Sequence, residues 1–542
     1  MKSDDVTQTV VSARSTPDLP ASDSNNTSSN ELLTPTTPPP AGTRGDTIED
    51  RHMNPMVFAL TILTSVCGFL FGYDTGYISG ALVVIGTDLG RELSSGNKEL
   101  ITSATSLGAL IFALIGGPLA DWAGRKWVIS GANILFIIGA IIQVAAHSLW
   151  TMIIGRFIMG WGVGLASLVA PLYISEMAPS RFRGRLVVIN VLAITGGQLV
   201  AYAISAGLYH INNGWRILVG LSMIPAAFQM VLFIFMPETP RYLIRLGRTD
   251  EARKVLIRTY QDSSPDEIED KIDELIKFNL FMDDSDNSKL AWLRQWKEGL
   301  IQAHTVPSNF RAVVITCGLQ GIQQFSGFNA LMYFSATIFE SVGFDNPTSV
   351  SLIVAGTNFV FTLVAFVCID RIGRRRILLV TIVGMIAGLV LASICFHFVK
   401  IDLTGSDDIP PKQGAWSVIV IIAMLVYVAF YAGGIGNVPW QQSELFPMKV
   451  RGVGTSLATA TNWAGSLVIS STFLTMLQNV TPTGTFAFYA GLCLLGWLFV
   501  YFFYPETAYC TLEEVQSLLT GGFNVKQSVE RNRIRRQEMK NK

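Results

Sequence analysis

Apolar runs of bilayer length recur twelve times along this 542-residue chain, and no other feature constrains its fold as strongly. At ~1.5 Å of rise per residue, a run of about 20 apolar residues crosses the ~30 Å hydrocarbon core as a helix. Backbone N–H and C=O groups must find partners there without water, which favours helices as the spanning element. The runs fall approximately at 56–85, 100–120, 127–147, 150–174, 186–209 and 215–236, then at 310–340, 348–369, 377–399, 415–441, 453–478 and 484–504. The expected fold is all-α and integral to a membrane, with twelve transmembrane helices in two pseudo-symmetric six-helix halves, 56–236 and 310–504.

The segments outside the runs have their own composition. Residues 1–55 are rich in Ser, Thr, Pro, Asp and Asn with few apolar anchors, which predicts a disordered tail. That tail lacks a basic start followed by a short apolar stretch, so no cleaved signal peptide is expected and the first span directs insertion. Residues 237–309 form a polar insert, in which Asp250-Glu-Ala-Arg-Lys-Val-Leu and Asp266-Glu-Ile-Glu-Asp-Lys-Ile-Asp-Glu-Leu-Ile read as amphipathic helices. Residues 505–542 form a second tail, whose basic stretch Arg531-Asn-Arg-Ile-Arg-Arg536 is expected beside anionic lipid. Bases cluster in the connections after spans 2, 4, 8 and 10, whereas 400–415 carries three Asp. Positive-inside therefore predicts cytoplasmic termini and a cytoplasmic insert. The plasma membrane is the expected location.

Several function classes are excluded by the same reading. Lys plus Arg and Asp plus Glu both number 40, so no charge excess points to nucleic acid. Cys67, Cys317, Cys368, Cys395 and Cys493 lie in spans and Cys510 follows the last, without disulfide or metal-ligand spacing. No nucleophile with its base and no phosphate loop is evident, so neither an enzyme nor a cofactor or metal is expected.

The two halves repeat. Ser175-Glu-Met-Ala-Pro-Ser-Arg-Phe-Arg-Gly184 matches Ser443-Glu-Leu-Phe-Pro-Met-Lys-Val-Arg-Gly452, and Pro237-Glu-Thr matches Pro505-Glu-Thr at the same offset. Asp121-Trp-Ala-Gly-Arg-Lys has a counterpart in Asp370-Arg-Ile-Gly-Arg-Arg. Duplicated six-span units in one orientation suit a carrier that rocks two halves about a central site. The charges in these repeats, Asp121, Arg125, Glu176 and Arg183 with Asp370, Arg374, Glu444 and Arg451, are candidates for a cytoplasmic gate.

Inside the spans ionisable residues are rare. Asp74, in Gly68-Phe-Leu-Phe-Gly-Tyr-Asp-Thr-Gly-Tyr-Ile-Ser-Gly80, is the sole acid of its run. An intramembrane carboxylate costs a few kcal/mol and usually serves ion or proton traffic. Glycines at 68, 72, 76 and 80 leave one bare helix face, suited to close packing or to backbone exposed toward a ligand. Arg156, near the start of span 4, is the base able to face Asp74, holding it ionised until protonation releases the pair. A polyol site needs neutral groups that grip hydroxyls beside an aromatic wall. Gln198, Gln323, Gln324, Asn329, Trp440 and Asn462 supply these, and Tyr333 is counted with them. Gly321, Gly327 and Phe325-Ser326 permit the broken helix that Gln323, Gln324 and Asn329 need to converge.

Gly116-Gly-Pro-Leu-Ala-Asp-Trp-Ala-Gly-Arg-Lys126, Pro171-Leu-Tyr-Ile-Ser-Glu-Met-Ala-Pro179, Pro237-Glu-Thr-Pro-Arg-Tyr-Leu243, Gln323-Gln-Phe-Ser-Gly-Phe-Asn329 and Pro505-Glu-Thr507 resemble the signatures of the sugar porters of the major facilitator superfamily. The likeness covers about residues 56–515. It implies that the amides fall on sugar-contact positions, and that Asp74 and Arg156 stand where proton symporters of the family carry their acid and Arg. Gly436-Asn-Val-Pro-Trp440, where many hexose carriers read Gly-Pro-x-Pro-Trp, and Thr459-Ala-Thr-Asn-Trp-Ala-Gly-Ser466 look like fungal myo-inositol/proton symporters. The resemblance therefore implies proton-coupled uptake of a cyclic polyol by a carrier functional as a monomer in the lipid bilayer. A hexose transporter and a transporter-like nutrient receptor are the alternatives.

Overall fold

The computed structural model describes residues 54–179, 182–260, 263–280, 291–399, 414–447, 450–508, 510 and 512–540, and over them the protein is all-helical. The predicted tail up to residue 53, with its Thr-Pro dipeptides, and the acidic loop 400–413 lie outside the described residues. So do the side chains of Arg183 and Asp370.

The first six runs become α1 (Pro55–Val84), α2 (Ser95–Ala123), α3 (Arg125–Val144), α4 (Leu149–Met177), α5 (Arg183–Leu208), and the pair α6 (Gly214–Leu221) and α7 (Met223–Phe233). The insert folds as α8 (Pro240–Arg245), α9 (Thr249–Thr259), α10 (Pro265–Leu280) and α11 (Ala291–Thr305). The second six become α12 (Pro307–Phe325) with α13 (Phe328–Ser341), α14 (Pro347–Ile372), α15 (Arg374–Phe398), α16 (Ala415–Gly433), α17 (Arg451–Asn479) and α18 (Thr481–Phe503). A 3-10 segment, Val438–Glu444, follows α16. Two further helices, α19 (Leu512–Thr520) and α20 (Val525–Lys540), end the chain. Among the described residues, ten helical stretches are long and apolar enough to cross a membrane. The other two runs are α12 with α13, interrupted at Gly327 (φ +87°), and α17, which is dense in Ser, Thr and Asn.

Local chemistry sets these boundaries. Asn54 accepts from the Met56 N–H at 2.8 Å with Pro55 at the first helical position, and Asn346 does the same for α14 through Ser349 at 3.1 Å. Large apolar side chains such as Ile224, Phe228, Val367 and Phe502 are exposed on outer faces, as contact with lipid requires.

Packing is closest where glycine removes the side chain. The stripe on α1 lies against α5: a methyl group on Gly72 would sit 1.8 Å from the Ile194 carbonyl oxygen, and one on Gly76 2.7 Å from the Ala201 Cβ. Gly197 answers from α5 against the Phe69 carbonyl. Of the two uses open to that stripe, close packing is therefore the one realised. Along the first half α2 and α3 both pack on α4, and in the second α15 packs on α16 and α18 while α12 packs on α17. The halves meet along α2–α17, α5–α14 and α1–α13.

The insert is a helical cluster, with Leu256, Ile268 and Ile272 as its small core and an Arg253–Glu269 pair at 2.6 Å across α9 and α10. The last helices are tied to the rest of the protein through their basic stretch. Arg531 and Arg535 pair with Glu514 of α19, and Arg536 donates to the Ile372 carbonyl. A helix-end carbonyl and an acid on the protein itself thus give the basic stretch partners within the fold.

The glycine packing predicts a contrast between two substitutions. Gly72→Val should abolish folded protein as measured by size-exclusion chromatography of a fluorescent fusion. Gly131→Ala on α3, where an added methyl meets nothing within 4 Å, should keep the yield at or above that of the parent.

Candidate functional site

With the bare face of α1 turned to α5, Asp74 faces α4. Arg156 Nη1 donates to the Asp74 carboxylate, and both side chains are fully enclosed, at 0 and 3% exposure. The guanidinium also donates to the Tyr77 hydroxyl at 3.0 Å, and its Nε lies 3.4 Å from the Ile101 carbonyl oxygen of α2. Tyr333 of α13 faces this pair from the other half, beside Ser466 and Thr75. Such burial is tolerable for charges because each is matched by an opposite charge and by hydrogen bonds.

The amides converge in the second half. The break at Gly327 brings Asn329 back onto α12, where its Nδ2 donates to Gln324 Oε1 at 2.8 Å. Gln324 donates in turn to Asn462 Oδ1 at 3.0 Å, and Asn462 donates to Gln323 Oε1 at 2.8 Å and to Gln320 Oε1 at 2.6 Å. Gln323 reaches the Ile435 carbonyl at 2.9 Å, past the end of α16, and Gln320 reaches Gln442 at 2.9 Å. Trp440, in the 3-10 segment, is buried close by in sequence to these carbonyls. Asn437 is buried as well, with Nδ2 on the Ala432 carbonyl and Oδ1 without a partner among the described residues.

Gln198 stands apart from this network. Its Oε1 accepts from Asn358 Nδ2 at 2.8 Å, tying α5 to α14. Gln320, Gln442 and Asn358 were missed in the sequence. Gln320 was detectable, since it shares a helix face with Gln323 and Gln324 at spacings of three and four. Asn358, a single amide in an apolar run, carried no such pattern.

The duplicated charges gather at the end of the bundle that bears the insert. Arg125 pairs with Asp121 at 2.8 Å and with Glu176 at 2.9 Å; Arg374 pairs with Glu444 at 3.2 Å and with Gln441 at 2.8 Å. Glu176 and Glu444 thus meet the arginine of the preceding motif. Arg451 donates to the Phe446 carbonyl. The described pairs lie within a half, and contact between halves takes another form. A methyl on Gly452, at the start of α17, would lie 3.6 Å from Asp121 Oδ2, and one on Gly184, at the start of α5, 3.5 Å from Glu444 Oε1. Each carboxylate therefore abuts a helix N-terminus of the opposite half, where the helix dipole favours negative charge.

The Pro-Glu-Thr motifs have a matching part. Glu238 accepts from the N–H groups of Arg125 and Lys126, both at 3.1 Å, capping α3, and Glu506 accepts from the Arg374 N–H at 3.0 Å, capping α15. Gly124 (φ +93°) and Gly373 (φ +97°) make these turns, and the space a side chain would fill holds the carboxylates, each 2.6 Å from the methyl position. Burial raises the Glu238 carboxyl, opposed by the N–H groups of Thr239 and Lys126 and by the Arg125 charge.

At the far end Glu99 accepts from the Thr475 N–H and hydroxyl at 2.8 and 2.6 Å, and Ser79 meets Ser335 at 3.1 Å. Ser106 and Ser466 join the halves in between, at 3.0 Å. The halves are in contact near both ends.

Residues 60–519 match the family described as Sugar (and other) transporter. The chain is 55% identical over 493 residues to Myo-inositol transporter 1 of Saccharomyces cerevisiae, covering 90% of this chain and 84% of that protein. It is 53% identical to Myo-inositol transporter 1 of Candida albicans, over 90% of this chain and 87% of that one. Among solved structures, the proton:xylose symporter XylE bound to 6-bromo-6-deoxy-D-glucose aligns with a TM-score of 0.71 and 26% identity, covering 85% of this chain and 99% of that one.

The charge clusters generate a test. Arg125→Gln leaves half-exposed Asp121 and buried Glu176 without their cation, a loss of ~3–5 kcal/mol for the buried Arg125–Glu176 pair. Uptake turnover should fall at least about tenfold, and Glu176→Gln in the same chain should restore part of it. Additive effects in that double-mutant cycle, together with normal turnover in Arg374→Gln, would leave the charges as topology signals alone.

Proposed function

The chain belongs to the sugar transporter family, and from that premise we propose that it carries myo-inositol together with a proton across a membrane by alternating access. The observation that carries the substrate is the 55% identity to a myo-inositol transporter over nine-tenths of the chain. The observation that supports coupling is the enclosed Asp74–Arg156 pair. Asp74 takes up a proton from the outer medium, Arg156 loses its counter-charge, and the pair relaxes while substrate is bound. Return of the empty carrier requires the carboxylate again. Each proton supplies about 1.4 kcal/mol per pH unit and roughly 2.3 kcal/mol per 100 mV.

The polyol occupies the ground now held by amide pairs. Gln323, Gln324, Asn329 and Asn462 exchange their bonds with one another for bonds to hydroxyls, Gln198 contributes from α5, and Trp440 and Tyr333 form the wall. A ring of six hydroxyls without a ring oxygen suits a pocket whose members both donate and accept. The duplicated charges with Arg183, Asp370 and Arg451 form the gate on the cytoplasmic side, where both termini and the insert lie. The plasma membrane is the site of action, and the monomer is the working unit.

Two outcomes are expected. In a host without its own carrier, labelled myo-inositol uptake by Gln324→Ala or Asn329→Ala should show an apparent KM raised several-fold to about tenfold, from ~1 kcal/mol or more per lost bond. Unchanged kinetics in both would remove them from the site. Asp74→Asn keeps the shape of the protonated acid but cannot release a proton, so binding should survive while accumulation and substrate-induced inward current are lost. Concentrative uptake retained in Asp74→Asn would overturn proton coupling at this residue, and competition by glucose as strong as by unlabelled myo-inositol would favour the hexose reading.

A further inference from the structure

Arg156 has a second partner whose orientation is fixed by its surroundings. Gln143 of α3 is fully buried, and its Nε2 lies 3.2 Å from the Gly139 carbonyl, which can only accept. The amide is thereby oriented with Oε1 toward α1, where it lies 2.9 Å from the Tyr77 hydroxyl. An amide oxygen cannot donate, so the single phenolic proton is directed to Gln143 and the phenolic lone pairs face Arg156 Nη1 at 3.0 Å. Met159 sulfur, 3.4 Å from the hydroxyl, is a further neighbour and a weak acceptor. Gly155, adjacent to Arg156, makes room for this arrangement, since a methyl there would lie 2.7 Å from Gln143 Cγ.

We propose that Tyr77 and Gln143 are positioning residues for the proton step, a neutral acceptor that retains the Arg156 guanidinium while Asp74 is protonated. The inference rests on the coupling role given to Asp74 above. On protonation an O–H bond forms on the Asp74 carboxylate and the guanidinium keeps its charge in a dry site. Its Nη2 has no hydrogen-bond partner among the described residues even in the ion-paired state. What then holds it is the Tyr77 oxygen and, more distantly, the Ile101 carbonyl. Losing the phenolic oxygen therefore harms the proton-loaded form more than the ion-paired form, in which the carboxylate still satisfies the cation. Among the described residues, the titratable groups facing the pair are Tyr77 on α1 and Tyr333 on α13; α2 presents the Ile101 carbonyl and α3 the Gln143 amide.

The hydroxyl also stands within reach of the Asp74 carboxylate. Gln143 keeps its proton away from that carboxylate. Without Gln143 the proton turns to Asp74 and favours the charged acid, so both substitutions shift proton loading in the same sense.

The test is the initial rate of labelled myo-inositol uptake against external pH, from acid to neutral, with surface expression measured in parallel. In Tyr77→Phe the half-maximal pH should move down by about one unit, a tenfold rise in the proton concentration required. Gln143→Leu should move it in the same direction, and it keeps the test decisive if Tyr77→Phe does not reach the membrane. Asp74→Asn is assayed beside them. An unmoved midpoint in either expressed variant, while Asp74→Asn has lost accumulation, overturns the role of the dyad and leaves coupling intact. Accumulation retained in Asp74→Asn instead overturns the coupling on which the dyad depends.

Discussion

A polar group that leaves water for hydrocarbon must find its partner inside the protein, and that constraint organises this molecule from its helices to its site. Asp74 and Arg156 meet it as opposite charges enclosed together. The amides meet it through each other, and Gln229, on the otherwise apolar α7, meets it by donating to the Leu63 carbonyl at 2.7 Å. Where glycine removes side chains between α1 and α5, the two backbones approach so closely that Asp74 is left with one direction to face. Close packing on one side of α1 thus positions chemistry on the other.

The same constraint explains why the motifs recur. A helix joined to the next by one glycine leaves the second helix with unpaired N–H groups at its start. In each half the Glu of a distant Pro-Glu-Thr motif fills that need, and the glycine leaves it the necessary space. The acid after the fourth or tenth span then completes an arginine from the loop just capped. Separate stretches of sequence are therefore parts of one cluster, built twice.

Much of the architecture was legible because it depends on local pattern. Runs of bilayer length and the Phe-Ser-Gly break in span 7 each act over a few residues, and the structure has helices and a break at those places. The reach of Arg156 to Asp74 was also readable, since few other ionisable groups lie within spans. Partnerships across the fold were less so. Glu176 meets Arg125 of a distant motif, and Gln198 binds Asn358, because helix rotation and tilt decide these meetings and no single run encodes them. The partners of the basic stretch were hidden for a like reason: Glu514 and the Ile372 carbonyl become its neighbours only after α14, α19 and α20 pack.

The distribution of strong and weak contacts suits a machine driven by small energies. The ion pairs described here lie inside a half, so rocking the halves leaves them whole. Between halves the described contacts are hydrogen bonds such as Ser79–Ser335, Ser106–Ser466 and Gln198–Asn358, and carboxylates set against helix N-termini. Each is worth about 0.5–1.5 kcal/mol net. Swinging a two-state balance from one side to the other takes ~5.5 kcal/mol, which a proton gradient of a few kcal/mol approaches only if the resting states are nearly level. Amides that already satisfy one another help to keep them level. In the proposed site, a polyol that replaces amide–amide bonds with amide–hydroxyl bonds would change the number of bonds little, and so would bind without trapping the carrier. On the proposed coupling, a proton on Asp74 removes one charge from an enclosed pair and so supplies the bias that the neutral substrate cannot.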